Sequence, residues 1–453
     1  MITHRPGDPG YQKARKLFIG RHYEMLPQAI LECGTEDDVV MALDMARGGP
    51  FAIRGGGHSL AEHSTSDGLV LDLAGLTTID VREGTVLVGA GIRVGELTDV
   101  LASLGLVVPV AWCRSVGVVG AVLGGGHGVL GRYYGLGADH LVAARVLLAD
   151  GRIVSATAEE HSDLFWALRG AGGGNFGIVL SVELRTRPSV ALTSLQASWP
   201  YDRVVDVVAA WQHLAPAAAR EVNLELSLSA SDRPDEEPEI TLFGVVAGNL
   251  ADAHTVLAGY TDRAGATSSA ACTVMSKVDS ARHCAHPGNV AERDLPRLPA
   301  NEVRPALRLA RSEFFTGPMS RPVLEKLAEH LAKDRLDGVY RDLELIPWGG
   351  ALSEVAGGAA GHPRARFLVK HSVRTGCRAG NETRASATEW VNGSWSITNA
   401  VGSGGSYPNY ADAALEDWPE AYYGANLSRL QLIKRKYDPG KVFRFDQGLS
   451  ATW

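Results

Sequence analysis

Along the chain the hydrophobic positions change period repeatedly, and each change predicts an element. The acids Glu36, Asp37 and Asp38 precede the apolar run that starts at Val39. This predicts a helix capped by the Thr35 hydroxyl, with its acids at the positive end of the helix dipole. Short β-like runs follow at residues 51–54, 68–73 and 85–90. Val94, Leu97, Leu101 and Leu104, spaced three and four apart, mark an amphipathic helix that Gly105 ends. Two apolar runs, 142–149 and 152–156, flank Asp150-Gly151, the signature of a tight hairpin. Ser162 is placed to cap a short helix through Leu168, and the glycines of 172–177 lead into a strand at 178–184. Strands and helices alternate without a regular βαβ beat, so the expected class is α+β.

The texture changes after Pro188, and a boundary is expected near residue 195. From 196 to 404, longer amphipathic helices (202–214, 251–264, 322–333) alternate with β-like runs (223–229, 239–246, 367–373). This predicts an antiparallel sheet covered by helices on one face. Gly402 to Gly405 reads as a hinge-like return, after which 405–453 forms a closing segment. The expected organisation is therefore 1–195, 196–404 and 405–453.

At 453 residues the chain exceeds what one hydrophobic core usually organises. With 45% apolar residues, 21% charged residues and a net charge of −7, it has the composition of a globular protein with no basic surface for nucleic acid. The five cysteines (Cys33, Cys113, Cys272, Cys284, Cys377) form no CxxC pair, and no HxH or HxxxH occurs, so neither a disulfide framework nor a metal site is expected. Neither an apolar leader near Met1 nor a run of about 18 apolar residues is present, so the expectation is a cytoplasmic protein outside membranes.

The candidate chemistry lies in the glycines. In Arg54-Gly55-Gly56-Gly57-His58-Ser59 an imidazole follows three glycines. Such a loop can adopt positive φ and turn its N–H groups onto an anionic ligand. Cys113 then precedes a second cluster, Gly124-Gly125-Gly126-His127-Gly128. Taken singly, His58 suits a surface turn and Cys113 a small buried hydrophobe. Their order, each beside its own glycine cluster, is what narrows the reading. GxGxxG is spelled twice, at 126–131 and 172–177, but neither match has the strand, helix and acid of a nicotinamide-binding unit.

These motifs, with Arg132, Gly135-Leu136, Asp139 and the closing Tyr407-Pro408-Asn409-Tyr410-Ala411-Asp412, resemble the berberine bridge enzyme-like family of FAD-linked oxidases, in the vanillyl-alcohol oxidase and p-cresol methylhydroxylase superfamily. The resemblance spans nearly the whole chain and is weakest in the middle. It implies a two-domain FAD-binding fold of the PCMH type, with FAD bonded covalently to both His58 and Cys113. Further cofactor contacts are implied for Arg54, Gly55, Gly56, Gly57, Ser59, Val116, Gly117, Gly120, Gly124, Gly126, His127, Gly128, Asn175, Gly177, Ile178 and Asn409. The implied reaction is hydride removal from an alcohol or sugar hydroxyl of a small, specialised-metabolite substrate. Molecular oxygen accepts the electrons and becomes H2O2, and valine at position 116 fits oxygen access. Tyr407 is the expected base, Tyr410 its structural neighbour, and Lys370 or Arg366 a source of positive charge.

Strand alternation lets only one of Lys370 and His371 face the cleft. Departures from the family pattern are Ala111, His140 and Leu60. A dehydrogenase with another acceptor, oxidative C–C or C–N bond formation, and a non-catalytic flavin protein are the alternatives. The substrate and the oligomeric state are left open.

Overall fold

The computed structural model describes residues 1–18, 25–283, 307–354, 358–359, 362, 364–376 and 379–450. Cys284 and Cys377 lie outside them. The chain begins with β1 (Ile2–His4), α1 (Tyr11–Ala14), β2 (Ala29–Glu32), α2 (Glu36–Ala46), β3 (Phe51–Arg54) and β4 (Leu69–Asp72). The strands order as β1-β2-β4-β3, parallel except for β1 on the edge. Next come β5 (Ile79–Arg82), β6 (Thr85–Gly89), α3 (Val94–Ser103), β7 (Leu106–Val107), α4 (Val118–Leu123) and α5 (Gly131–Tyr134). The first half then closes with β8 (Leu141–Leu147), β9 (Ile153–Ala156), α6 (Ser162–Ala171), β10 (Ile178–Arg185) and β11 (Arg187–Pro188). An antiparallel sheet, β5-β6-β10-β8-β9, is built from these, while β7 pairs with β11.

Local chemistry explains several boundaries. Thr35 caps α2 by accepting the Asp38 N–H, and the Asp38 carboxylate accepts the Thr35 N–H in return. The β8–β9 turn places Gly151 at φ +89°, which the Asp-Gly pair anticipates. Ser162 is not the cap of α6. His161 holds that place in a left-handed conformation (φ +49°), so the chain has already entered the helix at Ser162. Helix α4 precedes Gly126 and helix α6 precedes Gly172, so neither GxGxxG match follows a strand.

The second half contains β12 (Thr193–Trp199), α7 (Val204–Ala217), β13 (Val222–Ala230), β14 (Glu239–Val246), α8 (Leu250–Ala264), β15 (Ser269–Val274) and α9 (Lys277–Arg282). It continues with β16 (Leu307–Phe315), α10 (Arg321–Ala332), β17 (Val339–Pro347), α11 (Ala351–Glu354), β18 (Phe367–Thr375) and α12 (Asn381–Asn399). Its strands form one antiparallel sheet, β15-β12-β14-β13-β17-β18-β16. Leu224, Leu226 and Leu228 of β13 point to one face and join Trp211 of α7 and Val391 of α12 in a core of their own. The alternate residues, Glu225 and Ser227, point to the other face, toward the first half.

After α12, a 3₁₀ turn at Pro408–Tyr410, α13 (Trp418–Tyr423) and α14 (Leu427–Tyr437) return to the first core, where Tyr422, Leu430 and Phe443 are buried with Val88, Leu168 and Phe176. Lys434 of α14 fixes this return. Its ammonium is buried and donates to the Asn175 and Phe443 carbonyls and to Asp438. Arg132 ties the two halves at a second place, donating to the carbonyls of Val222, Ala218 and Trp348. No helix among the described residues is long and apolar enough to cross a membrane, and no cluster of three or more metal-ligating side chains occurs among them.

Candidate active site

Between the two halves lies a cavity of about 960 Å³, at the upper end of the roughly 300–1,000 Å³ typical of ligand pockets. One wall is made of glycine loops. Beyond β3 the chain turns through Gly57 at φ +66°, which sets His58 on the rim. The loop carrying Cys113 meets it backbone to backbone. A Cβ on Gly56 would lie 2.3 Å from the Gly117 nitrogen, and one on Gly117 would lie 2.6 Å from the Gly56 nitrogen. Only glycine at both positions allows this approach. The Arg93 guanidinium clasps the pair by donating to the Gly56 and Ser115 carbonyls.

His58 is held on two sides. Its Nε2 lies 2.8 Å from the Ser115 hydroxyl, and its ring stacks on Phe18 at 3.7 Å. Cys113, half-buried and in no disulfide, lines the same cavity. The wall also includes Gly55, Gly56, Gly57, Ser59, Val116, Gly117, Gly120 and Gly124, and beyond them His127, Asn175, Gly177 and Asn409.

Four expected cofactor residues do not line the cavity. Arg54 is buried against Asp72 (2.6 Å) and the Ala14 carbonyl (2.7 Å), so its side chain braces the loop from behind. Ile178 is a fully buried core residue of β10. Gly126 and Gly128 instead permit close packing on the backbone at Pro109, Val110 and Ala111.

The closing turn contributes the tyrosines. Tyr407 is 3% exposed, and its hydroxyl accepts the His127 N–H (3.0 Å) and a hydrogen of the Asn409 amide (3.2 Å). Burial pushes its pKa up to about 12, with the Asn409 and backbone donors pulling the other way. Asn409 also donates to the Ala121 carbonyl at 2.9 Å, stitching the turn to α4. The Tyr410 ring stands edge-on to Tyr407, and its hydroxyl makes no hydrogen bond among the described residues. The Lys370 ammonium lies 4.9 Å from the Tyr410 ring centre. Burial raises the Tyr410 pKa well above its ordinary value, and the carboxylates of Glu344 and Glu225 add to the rise.

The opposite wall is the polar face of the seven-stranded sheet. Lys370 on β18 points into the cavity and bonds both oxygens of Glu344 on β17 at 2.8 Å. His371 faces the other way, bonded to Ser394 and Thr398 of α12, and so cannot reach a ligand. Glu225, Glu344, Trp112 and Arg308 also line the cavity. None of these was singled out from the sequence. The signal was present in β13, where Asn223, Glu225, Ser227 and Ser229 alternate with leucines although both faces are buried.

The cavity fits a large planar cofactor bound through main chain. Gly120 and Gly173 line it, and a Cβ on either would meet no protein atom within 4 Å, so that space is left to a ligand. The glycine-loop wall is rich in main chain, which suits a dinucleotide held by N–H groups.

A family model described as FAD binding domain matches residues 27–157, and one described as berberine and berberine like matches residues 406–450. The chain is 29% identical to the uncharacterized FAD-linked oxidoreductase YgaK of Bacillus subtilis (strain 168), covering 98% of this chain and 95% of that protein. It is 30% identical to berberine bridge enzyme-like 12 of Arabidopsis thaliana, over 88% of this chain and 79% of the relative. Among solved structures, the xylooligosaccharide oxidase of Myceliophthora thermophila C1, in complex with xylobiose, superposes with a TM-score of 0.84 at 25% identity, covering 99% of this chain and 96% of that one.

Proposed function

The chain belongs to the berberine bridge enzyme-like family of FAD-linked oxidoreductases, and from that premise we propose that it oxidises an alcohol or sugar hydroxyl of a small molecule, with O2 as final acceptor and H2O2 as product. On this reading residues 1–195 and 405–453 hold the flavin and 196–404 the substrate. His58 and Cys113 are the covalent tethers. In support, both face one cavity on loops whose glycines touch, and the Ser115 bond fixes the imidazole. Bound FAD would supply the two-electron acceptor that takes the hydride.

The protein's part is to position the substrate and remove a proton. As the hydride leaves the substrate carbon, the hydroxyl proton must pass to a base, leaving a carbonyl. The sequence pointed to Tyr407, but the observation that carries this proposal favours Tyr410. The Tyr407 oxygen is already occupied by two donors in a buried site, whereas the Tyr410 hydroxyl opens on the cavity with no partner among the described residues. Tyr407 is then the post that aligns the turn, and Lys370 the cation beside the base. Phenolate formation needs positive charge near the ring, and Glu344 neutralises much of what Lys370 offers.

Anaerobic stopped-flow mixing with an alcohol that bleaches the flavin tests the assignment. Tyr410→Phe should slow reduction about 10² to 10⁴-fold. Unchanged reduction in that variant removes Tyr410 from the mechanism. Reoxidation by oxygenated buffer decides the acceptor: fast return of the oxidised spectrum marks an oxidase, and slow return that Val116→Ala does not alter marks a dehydrogenase. Val116 lines the cavity beside Cys113.

A further inference from the structure

We propose that the cavity seats its substrate through a cationic nitrogen placed on Glu225, so that the substrates are amino alcohols or amino sugars; this rests on the alcohol-oxidising role given above. Strand alternation and register set the polar face of the sheet. Ser227 lies opposite Glu344, Glu344 opposite Lys370, and Asp342 opposite Ser372. Most of this face is satisfied within itself. Lys370 gives hydrogens to both oxygens of Glu344 at 2.8 Å. Asp342 accepts from the hydroxyls of Ser227 (2.9 Å) and Ser372 (3.2 Å).

Glu225 is the exception. It is 2% exposed and lines the cavity, and its Oε1 is buried without a hydrogen-bond partner. The Trp112 indole N–H approaches it and favours its ionised form, but the contact falls short of hydrogen-bonding geometry and leaves both atoms unpartnered. A buried carboxyl oxygen is costly to leave unpaired, so its position at a ligand cavity points to a donor arriving with the ligand.

Charge indicates which donor. Near the cavity this face sets Glu225, Asp342 and Glu344 against one ammonium, Lys370, while Arg374 on the same face stacks on Tyr340. Burial and the neighbouring Glu344 raise the Glu225 pKa well above its ordinary value, so an arriving cation would favour its ionised form. Arg308, the next cation along the sheet, pairs in register with Arg374, four residues from the Ser312–Lys370 pair, or about 13 Å along the strands. It stacks instead on Phe18. A neutral hydroxyl could bond Oε1 but would leave the excess of negative charge in place. An ammonium satisfies both. It would also offset the carboxylates that hold the Tyr410 proton on, so the substrate itself would help to ready the base.

The experiment uses the flavin-loaded enzyme and matched probes: D-glucosamine against D-glucose and N-acetyl-D-glucosamine, and octopamine against 1-(4-hydroxyphenyl)ethanol. Dissociation constants come from perturbation of the flavin spectrum, and reduction is followed anaerobically. The expected result is that the amine of at least one set binds about 10-fold or more tighter than its neutral partners, as a charge-assisted hydrogen bond allows. In Glu225→Gln that ratio should fall toward one. If Glu225→Gln does not fold, the wild-type ratios still decide.

Amines that bind no better than their neutral partners, or that do not bind at all, overturn the proposal, as does a preference that survives Glu225→Gln. Reduction by neutral alcohols without any amine preference removes only this inference. A protein without flavin, or whose flavin no alcohol reduces, removes the alcohol-oxidising reading itself.

Discussion

At the scale of single residues, the sequence could identify the chemistry but not the direction in which side chains point. His58 and Cys113 were legible because glycine clusters beside an imidazole and a thiol are uncommon, and both line the cavity. Tyr407 and Tyr410 were legible as a pair, but a spacing of three across Pro408 does not reveal which hydroxyl is already bonded. That depends on His127 and Asn409, and His127 is 280 residues away from Tyr407. The two tyrosines should therefore separate in experiment. Tyr407→Phe leaves the buried His127 N–H without its acceptor, which should cost about 1–3 kcal/mol of stability and lower the melting temperature while the flavin can still be reduced. A Tyr407→Phe protein with unchanged melting and abolished reduction would reverse the two roles. Lys370 and His371 illustrate what alternation could supply: it required that they face opposite ways, but only the packing of α12 shows that His371 is the one turned from the cavity.

Elements were more legible than their junctions. The caps and periods of α2, α3 and the β8–β9 hairpin follow from local chemistry, because their signals lie within a few residues. The contact between the loops of His58 and Cys113 was not legible, since it joins Gly56 to Gly117 through main chain alone. It leads to a contrast between substitutions. Gly56→Ala drives a methyl into the Gly117 backbone, so the loops must part, and flavin content and thermal stability should fall together. Gly120→Ala puts its methyl into the cavity, where no atom beyond its own helix and chain neighbours lies within 4 Å. There the fold should melt unchanged or slightly higher, helped by alanine's helix propensity, while flavin retention drops. Both variants can be read from the ratio of flavin to protein absorbance and from a melting curve. Equal loss of stability in the two would contradict the view that Gly120 leaves room for the cofactor.

For the molecule as a whole, buried titratable groups set the response to pH. Burial lowers the pKa of His127 and His362 to about 4 and that of His371 to about 3. Each is a depressed histidine, so its stabilising share is complete above about pH 6.5 and is lost as pH falls toward those values, because the unfolded chain takes up protons the native state refuses. Glu313 works in the opposite sense. Its pKa is raised to about 7 by burial, although Asn399 and the Gly404 N–H favour its ionised form. It withdraws stability as pH rises from about 4.5 through 7. Urea unfolding of the holoenzyme should accordingly show a loss of stability below pH 6, by at most about 1.4 kcal/mol per pH unit for each histidine. Glu313→Gln should remove that opposing contribution and leave stability rising more steeply with pH between 5 and 7, and an unchanged slope there would count against its burial as the cause. None of these shifts was visible in sequence, because they arise from neighbours distant along the chain.

The central claim, that this chain holds FAD covalently through both His58 and Cys113 on touching loops, has one direct measurement. Purified wild type, His58→Ala, Cys113→Ala and the double variant are denatured in acid, and the flavin absorbance of pellet and supernatant is compared, with intact mass recorded for each chain. Wild type and both single variants should keep FAD in the pellet with its mass added to the polypeptide, and only the double variant should release it. Complete release of colour from the wild type, or retention by the double variant, would contradict the claim.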